Sequence, residues 1–132
     1  MLHLDTSTVI EILRLRKNAL LKFELTSTAE MRVSSIVVAE LWAGAQLAPE
    51  GSRSRARLET LLSLVEIVPF NQDAAKIAGQ IKFDLTKRGL QIGMVDPLIA
   101  AAAIADGASL ATCDIKHFRR IKGLELADWS KA

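Results

Sequence analysis

The most constraining feature of this 132-residue sequence is the alternation of short apolar segments with longer segments of helical periodicity. The stretches "MLHL", "MRVSS", "IVPF" and "SLAT" have the length and apolar content of strands, and "LEL" near the end is a further edge-strand candidate. Strands that alternate with helices are typical of βαβ units. The pattern therefore predicts an α/β fold with a parallel sheet and helices on both of its faces.

The helical segments between these strands have recognisable ends. A helix from Thr6 is expected to break near Lys17, and the helix "IVVAELWAGAQLA" should stop near Pro49. Further helices are predicted over "SRARLETLLSLVE", from 72 to 88 behind the cap Asn71, from Asp96 to "ADGA", and over "IKHFRR". We see no linker, so the chain is predicted to form one domain over 1–132.

Composition excludes several classes of protein. The start has no charged region ahead of an apolar stretch, which argues against a signal peptide, and "PLIAAAAIA" is roughly half as long as a membrane span. The single cysteine, Cys113, excludes an internal disulfide and suits a reducing cytoplasm. One cysteine and two histidines are too few for a typical structural zinc site. We therefore expect a cytoplasmic protein without a membrane segment.

Two acids directly follow predicted strands. Asp5 comes after "MLHL" and Asp114 comes shortly after "SLAT". Ligands of parallel α/β folds bind at the carboxyl ends of strands, so both acids are candidate site residues. A helix is predicted after each, and both acids therefore also fit the simpler role of helix N-cap.

Glu40 is the only charged residue between Val33 and Pro49. Its neighbours at helical spacing are apolar or small, so we expect Glu40 to be at least half buried. A buried Glu is rare unless it is paired or bound to a metal. Its two interpretations are a ligand of a functional site and a partner in a salt bridge to an Arg from elsewhere.

Asp96 stands at the head of another apolar helix, just before Pro97. Asp followed by Pro is a good helix start, so capping alone accounts for it. Asp106, the other acid of this region, lies in the turn "ADG" and is predicted to be an ordinary turn residue. If Asp96 instead joins the other acids, four carboxylates repel one another, and such a cluster persists when a cation neutralises it.

Oxygen ligands alone select hard cations, so we predict Mg²⁺ or Mn²⁺ at such a cluster. A metal held by acids suits the hydrolysis of phosphodiester bonds. The hydroxyls of Thr6, Ser7 and Thr112 flank the acids and are candidate supporting partners, although Ser and Thr near helix starts are commonly caps.

Four stretches carry a resemblance to a known family: "LDTSTVIE", "VSSIVVAELWAGA", "IGMVDPLIAAAAIADGASLATCD" and "FRRIKGLELADW". Together they resemble the PIN domain of VapC-type toxins from bacterial toxin–antitoxin pairs. The resemblance covers nearly the whole chain and implies a three-layer α/β/α sandwich with about four to five short strands. It matches Asp5, Glu40, Asp96 and Asp114 to the four acids of the family. Many members read Asp-Thr-Asn at the first motif, where this chain has Ser7.

The resemblance also implies an activity and partners. The activity is that of an Mg²⁺- or Mn²⁺-dependent endoribonuclease, inhibited by a cognate VapB-like antitoxin, with structured RNA such as tRNA as substrate and a homodimer as the usual assembly. An antitoxin Arg suits the acidic site, because a guanidinium binds carboxylate in two places. Candidate RNA-contacting residues are Arg14, Arg16, Lys17, Arg53, Arg55, Arg57, Lys116, Arg119 and Arg120.

Other activities fit less well. A haloacid-dehalogenase-type phosphatase needs a second Asp where "DTST" has Ser7, and a receiver domain needs adjacent acids that are absent. A cysteine hydrolase built on Cys113 and His117 is conceivable, while His3 is expected to be packed in its strand. The main alternative is a non-catalytic binding module of the same fold, whose four acids are structural.

Overall fold

A five-stranded parallel sheet forms the centre of the protein, whose computed structural model describes residues 1–91 and 93–132. The strands are β1 (Leu2–Leu4), β2 (Met31–Ser34), β3 (Glu66–Val68), β4 (Ser109–Thr112) and β5 (Leu126–Asp128). Their order across the sheet is β3-β2-β1-β4-β5, and every neighbouring pair is parallel. The predicted parallel sheet is thus confirmed.

Seven α-helices connect the strands in the described part of the chain. They are α1 (Thr6–Leu13), α2 (Lys17–Leu25), α3 (Ser35–Ala45), α4 (Arg53–Leu64), α5 (Gln72–Lys87), α6 (Asp96–Ala105) and α7 (Ile115–Phe118). A 3-10 turn, Thr28–Glu30, precedes β2. The break predicted near Lys17 separates α1 from α2, and Leu15 adopts a left-handed conformation there with φ 59°.

The helices form two groups with the sheet between them. On one side α1 packs against α2, α3 and α4, and on the other α5 packs against α6. This arrangement confirms the three-layer α/β/α sandwich. The core includes Leu4, Val33 and Leu110 from the three central strands, each fully buried. Leu58 and Leu61 of α4 are also buried, so its leucine-rich face contributes to the core.

Two strands lie slightly away from their predicted positions. β3 spans Glu66–Val68 rather than "IVPF", since Pro69 has no N–H to donate to a ladder. β5 spans Leu126–Asp128 rather than "LEL", because its parallel register pairs Leu126 with Leu110 of β4. In both cases the neighbouring strand selects the residues that pair.

A partly buried polar cluster joins β1, β2 and the turn after α6. His3 is 1% exposed, as expected for a packed residue, and its Nε2 lies 2.8 Å from Oδ2 of Asp106. Arg32 Nη1 donates to both carboxylate oxygens of Asp106, at 2.5 and 2.6 Å. Arg32 Nε lies 2.9 Å from Glu66 Oε2 without hydrogen-bond geometry, so that contact is an ion pair. Asp106 lies in the turn after α6, as predicted, but it also anchors two strands, which an ordinary turn residue does not do.

The sheet topology creates a crevice beside β1. The connection from β1 leads to β2 on one side, whereas β4 pairs with β1 on the other, so strand order reverses at this position. Ligands of open parallel sheets bind at the carboxyl ends of strands at such a switch point. Asp5 and Asp114 follow these two adjacent strands.

Among the described residues, no helix combines the length and apolar character that crossing a bilayer requires.

Candidate functional site

Asp5 lies directly after β1 and is almost fully buried, with 2% of its surface exposed. Its carboxylate caps α1 by accepting from Thr8 N at 2.8 Å. Ser7 Oγ lies 3.0 and 3.1 Å from the two carboxylate oxygens, and Thr112 Oγ1 donates to Oδ2 at 2.6 Å. Burial raises the pKa of Asp5, and these hydrogen bonds oppose the rise. Asp5 therefore does cap α1, but its carboxylate also accepts hydrogen bonds from Ser7 and Thr112 that capping does not require.

Thr112 links the first acid to the fourth. Its fully buried hydroxyl donates to Asp5 and accepts from the backbone N–H of Asp114 at 2.8 Å. Thr112 ends β4 and Asp5 follows β1, so one side chain ties the ends of two adjacent strands together. Two hydrogen bonds through Thr112 therefore hold the Asp5 carboxylate close to the backbone of Asp114.

Glu40 lies on α3 and is partly buried. Thr6 Oγ1, at the start of α1, donates to its Oε1 at 2.5 Å. Within residues 1–91 and 93–132, no Lys or Arg comes within ion-pair distance of Glu40, so the salt-bridge interpretation finds no support there. Glu40 lines a cavity of about 440 Å³ that is also lined by Arg14 and Arg57.

Asp96 is the first residue of α6, and Val95 holds the N-cap position without a side-chain capping bond. The capping interpretation of Asp96 therefore does not hold, because the helix begins one residue earlier than capping requires. Burial raises the pKa of Asp96, and the nearby imidazole of His117 opposes that rise. The negative charges of Glu40, Asp114 and Asp5 raise the pKa further. The charges of the other three acids thus all reach Asp96.

Asp114 holds the cap position of α7, again without a capping bond from its side chain. Its Oδ2 lies 2.8 Å from Nδ1 of His117, and the same nitrogen lies 3.5 Å from Oδ2 of Asp96. The sequence analysis did not predict that His117 lies between Asp96 and Asp114. The available signal was its spacing, since a residue three positions after Asp114 faces the same side of a helical turn.

The cysteine hydrolase alternative does not fit this geometry. The Cys113 thiol accepts from the Thr8 hydroxyl at 3.8 Å. The His117 imidazole lies instead beside Asp96 and Asp114. Burial raises the pKa of Cys113, which disfavours the thiolate that a nucleophile needs.

The spacing of the acids bears on the metal that they can hold. In the described ranges, no three His, Cys, Asp or Glu side chains lie close enough together to form a metal-binding group. Zinc sites of the structural type need four such ligands, and these residues do not supply them. Mg²⁺ commonly uses one or two carboxylates and completes its shell with water and substrate phosphate. The four acids offer only oxygen donors, which is the donor chemistry of that second pattern.

Comparison with known proteins agrees with the geometry. The family model described as "PIN domain" matches residues 2–124. The chain is 37% identical over 107 residues to Ribonuclease VapC2 of Rickettsia felis, covering 81% of this chain and 80% of the relative. It is 34% identical over 128 residues to the tRNA(fMet)-specific endonuclease VapC of Salmonella typhimurium, covering 96% of each.

A solved structure agrees as well. The VapBC2 complex of Rickettsia felis bound to a promoter DNA fragment contains a chain that superposes with a TM-score of 0.89 at 32% identity. The match covers 98% of this chain and 99% of that one. The PIN-type arrangement of the sheet is therefore shared along almost the full length of both chains. The chain belongs to the PIN-domain family, as a member of its VapC ribonuclease group.

Proposed function

We propose that this protein is the toxin of a toxin–antitoxin pair and cleaves RNA as an Mg²⁺- or Mn²⁺-dependent endoribonuclease. Asp5, Glu40, Asp96 and Asp114 form its acidic centre. The observation that carries the proposal is a chain of contacts: Thr112 links the Asp5 carboxylate to the backbone N–H of Asp114, and the Asp114 and Asp96 carboxylates lie 2.8 and 3.5 Å from one nitrogen of His117. The negative charges of the other acids also raise the pKa of Asp96. Four carboxylates that repel one another in a half-buried site are stabilised by a divalent cation. PIN-domain ribonucleases are in general metal-dependent, and the identity of the ion is part of this proposal.

The residues of this chain hold and orient the carboxylates. Thr112 and Ser7 donate to Asp5, while Thr6 donates to Glu40, so hydroxyls fix both acids. Hydrogen bonds of this kind orient metal ligands. When bound, the ion supplies a water of lowered pKa and positive charge against the phosphate. Burial of Asp5 keeps bulk water away from the inner side of the centre.

The substrate of this chain is proposed to be RNA, with structured RNA such as tRNA the first class to examine. The names of its relatives specify ribonuclease activity and, for one, action on tRNA(fMet). Arg14 and Arg57 line the cavity that contains Glu40, so positive charge borders the acidic centre. Cations beside a site attract the phosphate backbone without reading its sequence. Such a function is expected in the cytoplasm.

The antitoxin is proposed to occupy the apolar groove beside this centre. The cavity at Glu40 is walled by Leu13, Leu41 and Leu58, and a second apolar groove continues along α1, α2 and α4. Relatives with this fold have been solved as VapBC complexes. A segment lying in the groove reaches Glu40 and can place a basic side chain among the acids. A homodimer is proposed as the assembly that carries two such sites.

The decisive experiment is cleavage of RNA by antitoxin-free protein. We expect cleavage with Mg²⁺ or Mn²⁺, arrest by EDTA, and recovery when excess metal is returned. A complex with the antitoxin should be inactive under the same conditions. Activity that EDTA does not affect would contradict metal dependence. Absence of both cleavage and metal binding would favour the alternative, a binding module whose acids are structural.

A further inference from the structure

The four acids of the centre are supported unequally by their surroundings. Asp5 accepts from Ser7, Thr8 and Thr112, and Glu40 accepts from Thr6. Asp96 and Asp114 have no such hydroxyl partners among residues 1–91 and 93–132. Throughout the described residues, the side-chain carboxylates of these two acids make polar contact with one side chain only, that of His117.

His117 stands between two elements that carry the acids. Its Nδ1 lies 2.8 Å from Asp114, which follows β4, and 3.5 Å from Asp96, which begins α6. The next residue, Phe118, is 2% exposed and packs in the core, so it anchors α7. The side chain of His117 itself is 54% exposed. The backbone beneath the imidazole is thus fixed, while the ring borders the open side of the centre.

We propose that His117 is a positioning residue that holds Asp96 and Asp114 at the separation needed to bind the divalent ion. This role rests on the proposed metal-dependent function. Its Nδ1 lies within ion-pair distance of both carboxylates, although neither contact has hydrogen-bond geometry, so the imidazole is the polar group that the two acids share. Without that group, two like charges on separate elements repel each other and have no shared partner.

A positioning role has a specific consequence for metal affinity. Loss of a residue that orients metal ligands typically weakens binding by about 10–100-fold. Because His117 acts on the ligands rather than on RNA, saturating metal should restore most of the cleavage rate. Loss of a ligand itself would not be restored in this way, and the two roles are therefore separable.

The test compares three substitutions of one residue. Asn places an amide nitrogen near the position of Nδ1, whereas Gln places one near Nε2. Mn²⁺ binding to antitoxin-free protein is measured by calorimetry and by the loss of the free-ion EPR signal. We expect His117→Ala and His117→Gln to bind Mn²⁺ about 10–100-fold more weakly than the parent, and His117→Asn to remain close to it. Melting temperatures without metal verify that each variant is folded.

Lys122→Ala is the matched control, because it also removes a nitrogen from an exposed side chain. In the parent protein, Lys122 lies near Asp84 rather than near the four acids. Its Mn²⁺ affinity should equal that of the parent. Parent-like binding by His117→Ala would overturn the proposal, as would rescue by Gln but not by Asn. A parent protein that binds no Mn²⁺ would overturn the metal-dependent function itself, together with this role. If only the His117 role fails, the parent still binds Mn²⁺ and all variants bind alike.

Discussion

The Thr112 hydroxyl donates a 2.6 Å hydrogen bond to the buried carboxylate of Asp5 across two adjacent parallel strands. The same oxygen accepts from the backbone N–H of Asp114. One threonine therefore connects the first and fourth acids of the centre. The Asp5 carboxylate and the backbone of Asp114 cannot move apart without breaking one of these bonds.

Replacement of this hydroxyl should reduce both stability and metal binding. Thr112→Val keeps the shape but removes the shortest hydrogen bond to the buried Asp5 carboxylate and the side-chain acceptor of the Asp114 N–H, so the free energy of unfolding should fall by about 1–3 kcal/mol. Mn²⁺ binding should weaken as well. Thr112→Ser keeps the hydroxyl and is the control. Denaturant unfolding and Mn²⁺ titration measure the two effects, and a Val variant that matches the parent in both would contradict this role.

Glu40→Gln should abolish cleavage without unfolding the protein. Gln keeps the shape of Glu and removes one of four mutually repelling charges, so the free energy of unfolding should stay within about 0.5 kcal/mol or increase. A Glu40 that served a buried salt bridge would instead cost roughly 3–5 kcal/mol when replaced. RNA cleavage and denaturant unfolding, measured on the same preparation, distinguish the two. A large loss of stability would indicate that Glu40 serves the structure of the protein rather than the acidic centre.

Asp96→Ala should leave α6 stable, because the side chain of Asp96 makes no capping bond. Loss of a true N-cap costs about 1 kcal/mol, and we expect a clearly smaller loss or a gain. Asp96→Asn should fold equally well, and both variants should lose cleavage and bind Mn²⁺ weakly. Melting temperature and Mn²⁺ titration provide the measurements. If Asn cleaves RNA at the parent rate, Asp96 is not part of the acidic centre.

The pH dependence of the free energy of unfolding should reveal the raised pKa of Asp96. Its pKa is raised above the ordinary 3.8, mainly by burial, so the folded protein binds the proton more tightly than the unfolded chain. This contribution is fully present below pH 3.8 and is lost as the pH rises through the raised value. Without metal, the parent should therefore lose stability relative to Asp96→Asn as the pH rises above 3.8.

Saturating Mn²⁺ should reverse that trend, because metal binds the ionised carboxylate and its stabilising effect grows as the proton leaves. Unfolding of both proteins by urea over a pH series, with and without Mn²⁺, gives the comparison. A stability difference that does not change with pH would show that Asp96 titrates normally.

Local chemistry explains why much of this protein was predictable. The end of a strand, an acid and the start of a helix are consecutive at Asp5, and a lone charge on an apolar helix identifies Glu40. Periodicity also predicted the parallel sheet and most helix ends. These features depend on residues within a few positions of one another, which the order of the sequence displays directly.

Relations between distant residues required the tertiary structure. Asp106 resembles an ordinary turn residue, yet Arg32 and His3, at separations of 74 and 103 residues, hold it in a partly buried polar cluster. The exact start of α6 decided that Asp96 does not cap it. His117 acquired its place between Asp96 and Asp114 only because α6 and α7 meet there. The sequence by itself determined which segments form strands and helices and which acids stand at their ends, because those signals are local. The packing of α6 and α7 at the carboxyl ends of β1 and β4 decided which side chains meet, because contacts across the fold depend on how the elements are arranged in space.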